Sequence, residues 1–258
     1  MTKKKAVSLF VACMVLSGAV SVGAAWGYSN YSNTGSVTGS NSGYTLESAT
    51  GSDKTVSQIA SQNTESVVEI STESVSTDSW AQQYVVQGAG SGIIIDSDGY
   101  IMTNYHVIEG ASKITVRNDN NKTYTAKVIG YDKDNDIAVI KIDASGLKAV
   151  KYGNSNQISV GDMAVIIGNP LGELGDSVTA GIISSTSREI TLDNNTMNLI
   201  QTDASVNPGN SGGGLFNSKG QLIGVVVAKA SSTDVEGLGF AIPVNKAAKI
   251  ASEIMNNE

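Results

Sequence analysis

The chain has 258 residues, with 17 Lys and Arg against 24 Asp and Glu, a formal net charge of −7 and a single cysteine. That length accommodates one or two domains of ordinary size. An acidic balance excludes a generic nucleic-acid-binding surface, which needs clustered cations. One histidine excludes a multi-histidine metal centre.

In chain order, the first signal is Lys3, Lys4 and Lys5 followed by an uncharged run from Ala6 to Tyr28. The run is long enough to cross a bilayer as a helix, and the positive-inside bias keeps the lysines in the cytoplasm and exports the residues after Tyr28. The alternative is a cleaved secretory signal, with Val22 and Ala24 as small residues before a cut at Ala25. Either way the rest of the chain acts outside the cytoplasm, at the cell surface or in a periplasm. Cys13 lies inside this run, so the exported part carries neither thiol chemistry nor a disulfide framework.

Residues 29–55 are dominated by Ser, Thr, Asn and Gly, with almost nothing to bury, and read as a flexible tether. From Val56 an amphipathic stretch, VSQIASQNTESVVEI, opens the working domain, 56–258. Short β-type runs come next: GSGIIID, YIMTNYHVI, SKITVRN, TYTAKVIGYD and DIAVIKID, punctuated by Asp98-Gly99 and Asp119-Asn120-Asn121. A second series comes after Gly153: DMAVIIGNP, SVTAGIISS, NLIQTDA, QLIGVVVA and GFAIPV. Two such sets predict an all-β protein of two barrels or sandwiches, about 65–147 and 150–245. The one later helix is NKAAKIASEIMNN, with Asn245 as its expected N-cap and Ala247, Ile250 and Ile254 at helical spacing.

Between those strands lies NPGNSGGG, residues 207–214, which places the hydroxyl of Ser211 among glycines. A serine hydroxyl needs an adjacent base to become a nucleophile, and any imidazole base here must be His106. The third member is a carboxylate that fixes the imidazole tautomer; Asp136, at the mouth of the strand DIAVIKI, is the best placed, with Asp134 the alternative. GNSGG also fits the nucleophile elbow of α/β hydrolases, but in that fold the histidine follows the serine, and none follows Ser211. The order His106, Asp136, Ser211 is that of chymotrypsin-like proteases. A tetrahedral intermediate needs backbone N–H groups aimed at its oxyanion, and the glycines around Ser211 allow a loop tight enough to aim them; Gly209, Asn210 and Ser211 are the candidate oxyanion hole, with Gly209 and Ser211 as donors.

GSGIIID, GYIMTNYHVIEGA, DNDIAVIKI, GNPLG, SVTAGIIS, QTDASVNPGNSGG and GLGFAIP resemble, in the same order, the blocks of the high-temperature-requirement (HtrA, Deg) trypsin-like serine proteases. The resemblance covers about residues 65–245. It implies a double six-stranded barrel and an ATP-independent endopeptidase that degrades misfolded or exported proteins in quality control under stress. It also implies a common trimeric assembly, and it matches Arg188 to the family arginine that organises the activation loops. No metal or organic cofactor is expected, because the triad and backbone donors suffice for acyl transfer. Family members often carry a C-terminal PDZ domain. Only 15 residues follow Pro243, far short of an independent domain, so the sequence is expected to be either a form without a PDZ domain or a truncated one. Gly214 stands where relatives often have Pro or Ala and is expected to alter only local stiffness.

Six residues before the nucleophile, where basic-specific relatives of the fold place an acid, stands Ser205. An uncharged pocket there cannot offset the desolvation of a cationic side chain. The segment Ala228, Lys229, Ala230 resembles the strand that pairs with substrate backbone.

Overall fold

The computed structural model describes residues 44–46, 52–77, 83–169, 177–192, 195–228 and 238–257. The apolar run Ala6–Tyr28 and the tether up to residue 43 lie outside them, as do Lys229 and Ala230. Among the described residues no helix is long and apolar enough to cross a membrane.

Within the stretch 29–55, expected to be a flexible tether with almost nothing to bury, the described residues Tyr44 and Leu46 pack against the core and Lys54 N donates to Ser218 O at 2.8 Å. Helix α1 (Val56–Asn63) is started by a capping box in which Thr55 and Gln58 each accept the other's backbone N–H. Six strands then close a first barrel: β1 (Val67–Thr77), β2 (Gln83–Ile94), β3 (Tyr100–Thr103), β4 (Lys113–Arg117), β5 (Thr123–Asp132) and β6 (Ile137–Ile142). They are antiparallel, in the order β1-β2-β3-β6-β5-β4. A second barrel holds β7 (Met163–Gly168), β8 (Ser177–Leu192), β9 (Asn195–Thr202), β10 (Gly214–Phe216), β11 (Leu222–Val226) and β12 (Gly239–Pro243), in the order β10-β11-β12-β9-β8-β7. Of the two barrels or sandwiches that the strand series left open, barrels are present, each with the six strands that the resemblance implied. Helix α2 (Tyr105–Ile108) is a single turn after β3, and α3 (Val244–Asn256) closes the chain.

Several strands read as unbroken apolar runs because both of their faces are buried. On β6, Ala138, Ile140 and Ile142 point into the first barrel with Ile70, Ile94 and Ile101. The alternate residues Ile137 and Val139 join Ile93 and Met102 in a layer shared with Val165, Ile167, Phe216 and Val225 of the second barrel. Strand β7 mirrors this division, with Ala164 and Ile166 inside the second barrel. The inter-barrel layer extends under α3, which buries Val244, Ala247, Ala248, Ile250 and Ala251 against it. Burying these side chains contributes about 1.5–3 kcal/mol for each large aliphatic group, and this apolar contact makes the two barrels one body.

Asn245 does not cap α3. The cap position is Pro243, and Asn245 lies two residues further on, where its side chain accepts from Ser155 N (2.9 Å) and donates to Asn154 Oδ1 (2.9 Å). The amide that was expected to serve its own helix instead ties the helix to the loop entering the second barrel.

Candidate active site

His106 stands on α2, directly after β3, and Asp136 immediately precedes β6, its neighbour in the first barrel. Ser211 belongs to the loop between β9 and β10 of the second barrel. The three meet where the barrels face each other. His106 Nδ1 lies 2.8 Å from Asp136 Oδ2, and His106 Nε2 lies 3.0 Å from Ser211 Oγ. A carboxylate can only accept, so Nδ1 carries the proton and Nε2 is left as the acceptor for the Ser211 hydroxyl. The Ala228 amide donates to Ser211 Oγ at 3.1 Å, so the same oxygen receives one N–H while giving its proton to the imidazole. His106 and Asp136 side chains are 20% and 14% exposed, which leaves the imidazole open to a substrate while sheltering the carboxylate.

Asp136 is held on three sides. His106 N donates to Oδ1 at 2.9 Å, Nδ1 engages Oδ2, and Asn104 Nδ2 donates to the Asp136 carbonyl at 3.0 Å. Its backbone is left-handed, with φ 52°, a conformation that Asp and Asn tolerate better than other side chains. Asp134, the alternative, offers its carbonyl to Asn195 Nδ2 (2.6 Å), and Asp132 accepts from Asn135. Next to the histidine, desolvation first and a hydrogen bond to Glu109 second push the Tyr105 phenol up. It therefore remains a neutral neighbour of the imidazole.

The loop before Ser211 is a type II turn whose chemistry is visible in the residues. Pro208 takes the first central position, Gly209 the second with φ 92°, and Asn210 N donates to Asn207 O at 3.0 Å. Asn210 therefore does not offer its amide to an oxyanion, contrary to its inclusion among the candidates. Among the described residues the amides of Gly209 and Ser211 have no acceptor, and these two remain as the donor pair. Gly212 has φ 83°, and a Cβ there would lie 2.2 Å from Ser91 O and 2.3 Å from Thr103 Oγ1, so no other residue fits behind the nucleophile. Gly214 does more than tune stiffness, since a Cβ at that position would meet the Phe216 ring at 2.5 Å. The Asn210 side chain is fully buried and has no hydrogen-bond partner among the described residues. Such a group costs roughly 1–3 kcal/mol, and costs of this kind concentrate at functional sites.

The remaining candidates are less closely gathered. Ser205 is exposed, and its carbonyl accepts from Thr179 Oγ1 at 2.8 Å. Arg188 lies on β8 rather than in a loop, exposed, with Nε donating to Gln201 Oε1 at 3.0 Å. Ala228 touches the nucleophile through its amide. A groove of about 550 Å³, lined by Glu69, Thr72, Glu73, Gln87, Pro208 and Gly209 among others, opens beside the turn. Its carboxylates are already paired, Glu69 with Arg117 (2.6 Å) and Glu73 with Lys113 (2.7 Å). Asn104 and Ser91, both fully buried and bonded to site residues, were not singled out by sequence reasoning. The only local signal was a polar Thr-Asn pair breaking the apolar run YIM.

A double antiparallel barrel with His, Asp and Ser joined across its cleft defines the class of chymotrypsin-like folds. The model of the trypsin-like peptidase domain matches residues 90–225. The putative serine protease HhoB of Synechocystis sp. is 46% identical over 171 residues, 65% of this chain and 40% of that protein. The serine protease Do-like HtrB of Bacillus subtilis is 46% identical over 176 residues, 65% of this chain and 38% of the relative. A probable periplasmic serine protease do/HhoA-like of Haemophilus influenzae is 46% identical over 173 residues, 66% of this chain and 37% of its own length. Among solved structures, the HtrA-type protease AlgW with decapeptide superposes with a TM-score of 0.69 at 34% identity, covering 79% of this chain and 68% of that one. The chain belongs to the trypsin-like peptidase family, in its HtrA-type branch. It spans about 40% of the length of the curated relatives it matches.

Proposed function

We propose that this chain is a serine endopeptidase that works by acyl transfer. The observation carrying this reading is the unbroken contact Ser211 Oγ, His106 Nε2, His106 Nδ1, Asp136 Oδ2. Ser211 Oγ attacks the scissile carbonyl as His106 Nε2 takes its proton, and Asp136 stabilises the imidazolium without being protonated. The carbonyl oxygen, now negative, accepts from the Gly209 and Ser211 amides. Nε2 returns the proton to the departing amine, leaving an acyl-enzyme. A water then repeats the sequence, giving its proton to Nε2 and releasing the carboxylic acid and the free serine. Every step is a proton or acyl movement within these groups, so neither ATP nor a cofactor enters.

The substrates in this reading are unfolded or misfolded proteins. An extended chain can lie in the groove beside the oxyanion turn and add a strand along Ala228, Lys229 and Ala230. With Ser205 in place of an acid, cuts are expected after Val, Ala, Ile or Leu, with modest discrimination among them, because one methylene is worth about 1–3 kcal/mol. Mass-spectrometric mapping of cuts in a permanently unfolded protein tests this; a majority after Lys or Arg would refute the pocket assignment while leaving the triad standing.

The family resemblance supports a homotrimer in which Arg188 helps organise the activation loops. The apolar run Ala6–Tyr28 behind three lysines supports a single-pass anchor, with the protease domain outside the cytoplasm. The protein is expected in the membrane fraction and accessible to protease added to intact cells. A soluble product beginning at Ala25 would instead establish a cleaved signal.

A further inference from the structure

Ser91 lies on β2 of the first barrel, yet its bonds converge on the oxyanion turn of the second. It is fully buried. Its Oγ donates to the Gly209 carbonyl at 2.7 Å and accepts from the Asn169 amide at 2.9 Å. Its amide donates to the Ser211 carbonyl at 2.8 Å, and its own carbonyl accepts from Thr103 Oγ1 at 2.7 Å.

Each peptide group is planar, so holding a carbonyl fixes the N–H at the other end of the same plane. The Gly209–Asn210 plane is thus held at both ends, by Ser91 Oγ on its oxygen and by Asn207 O on its N–H. The Ser211–Gly212 plane is held by Ser91 N at its oxygen and by Val226 O, which accepts from Gly212 N at 3.0 Å. Between them, Asn210 O accepts from Gly213 N at 2.9 Å. Gly209 is where the loop turns most freely, having no Cβ and a positive φ. The Ser91 hydroxyl restrains the plane that leaves this hinge, and the neighbouring donor, Gly209 N–H, stands on the hinge itself.

We infer that Ser91 is a positioning residue of the oxyanion site: its hydroxyl locks the Gly209–Asn210 peptide so that the Gly209 and Ser211 amides converge on one oxygen. It touches no reacting atom and acts through the turn. This role rests on the acyl-transfer reading of the site. Such a residue matters to the transition state and little to the bound substrate, because the oxyanion exists only after attack. Loss of an oxyanion donor itself costs about 10²–10³ in kcat, so loss of the restraint on one should cost less, about 10- to 100-fold.

The experiment compares the full-length chain with Ser91→Ala and Ser211→Ala. Peptide turnover is measured together with affinity for a peptide boronic acid, whose tetrahedral adduct mimics the oxyanion. Ser91→Ala is expected to lower kcat about 10- to 100-fold, to leave KM within about threefold, and to weaken the boronic acid in proportion to kcat/KM. If Ser91→Ala does not fold, Ser91→Gly removes the same hydroxyl while keeping the backbone bonds, and is read by the same criteria. Unchanged kcat, or a rise in KM that accounts for the whole loss with boronic acid affinity intact, would overturn the inference. Turnover no higher in wild type than in Ser211→Ala would contradict the proposed function instead, which separates the two failures.

Discussion

Ser211→Ala and His106→Ala are each expected to lower kcat by about 10⁶, and the double variant to lose little more than either alone. The reason is geometric. Ser211 Oγ is a nucleophile only while His106 Nε2, 3.0 Å away, can take its proton, and the imidazole has a proton to give the departing amine only after it has taken that one. Removing either member removes the same step, so the losses do not add. The alanine variants keep their fold, since Ser211 and His106 form no part of the apolar layers that join the barrels. Residual activity over water of about 10³–10⁴ would remain from the oxyanion donors and binding. Turnover with a fluorogenic peptide, beside a thermal melt of each variant, checks both halves of this expectation.

Asp136→Asn should cost on the order of 10⁴ in kcat with little change in stability. Asn tolerates the left-handed φ of 52° found at this position, so the backbone need not move. The amide oxygen can still accept from His106 N, which approaches Oδ1 at 2.9 Å. That places the new NH₂ group against Nδ1. Nδ1 must then become the acceptor, the proton shifts to Nε2, and the imidazole can no longer accept from Ser211. A melting temperature near that of wild type with kcat reduced by this amount would distinguish tautomer control from simple damage. Near-normal kcat would remove Asp136 from the mechanism.

Much of this site was legible because its chemistry is local in sequence. The glycines around Ser211 announce a tight turn, and a lone histidine leaves one choice of base. The two series of short apolar runs also located most strands. Strands β1 and β10 were missed: β1 (Val67–Thr77) begins inside VSQIASQNTESVVEI, which reads as an amphipathic stretch, and the three residues of β10, Gly214–Phe216, come directly after the glycine run and carry no alternation of their own. The helix α3 was placed by its periodicity, but its cap was not, because Asn245 had a better partner in Ser155, across 90 residues of chain. The clamps around the site were illegible for the same physical reason. Ser91 reaches Gly209 across 118 residues and Asn104 reaches Asp136 across 32, and a side-chain hydroxyl or amide carries no signal of which distant carbonyl it will meet.

Reaction of the full-length protein with a peptidyl organophosphonate, followed by mass-spectrometric location of the adduct, tests the central claim most directly. The phosphorus is attacked only by an activated hydroxyl, and the adduct is stable enough to map. A single adduct on Ser211, absent from His106→Ala, is the expected result. No adduct, or one on another residue while Ser211 stays unmodified, would contradict the assignment of Ser211 as an activated nucleophile.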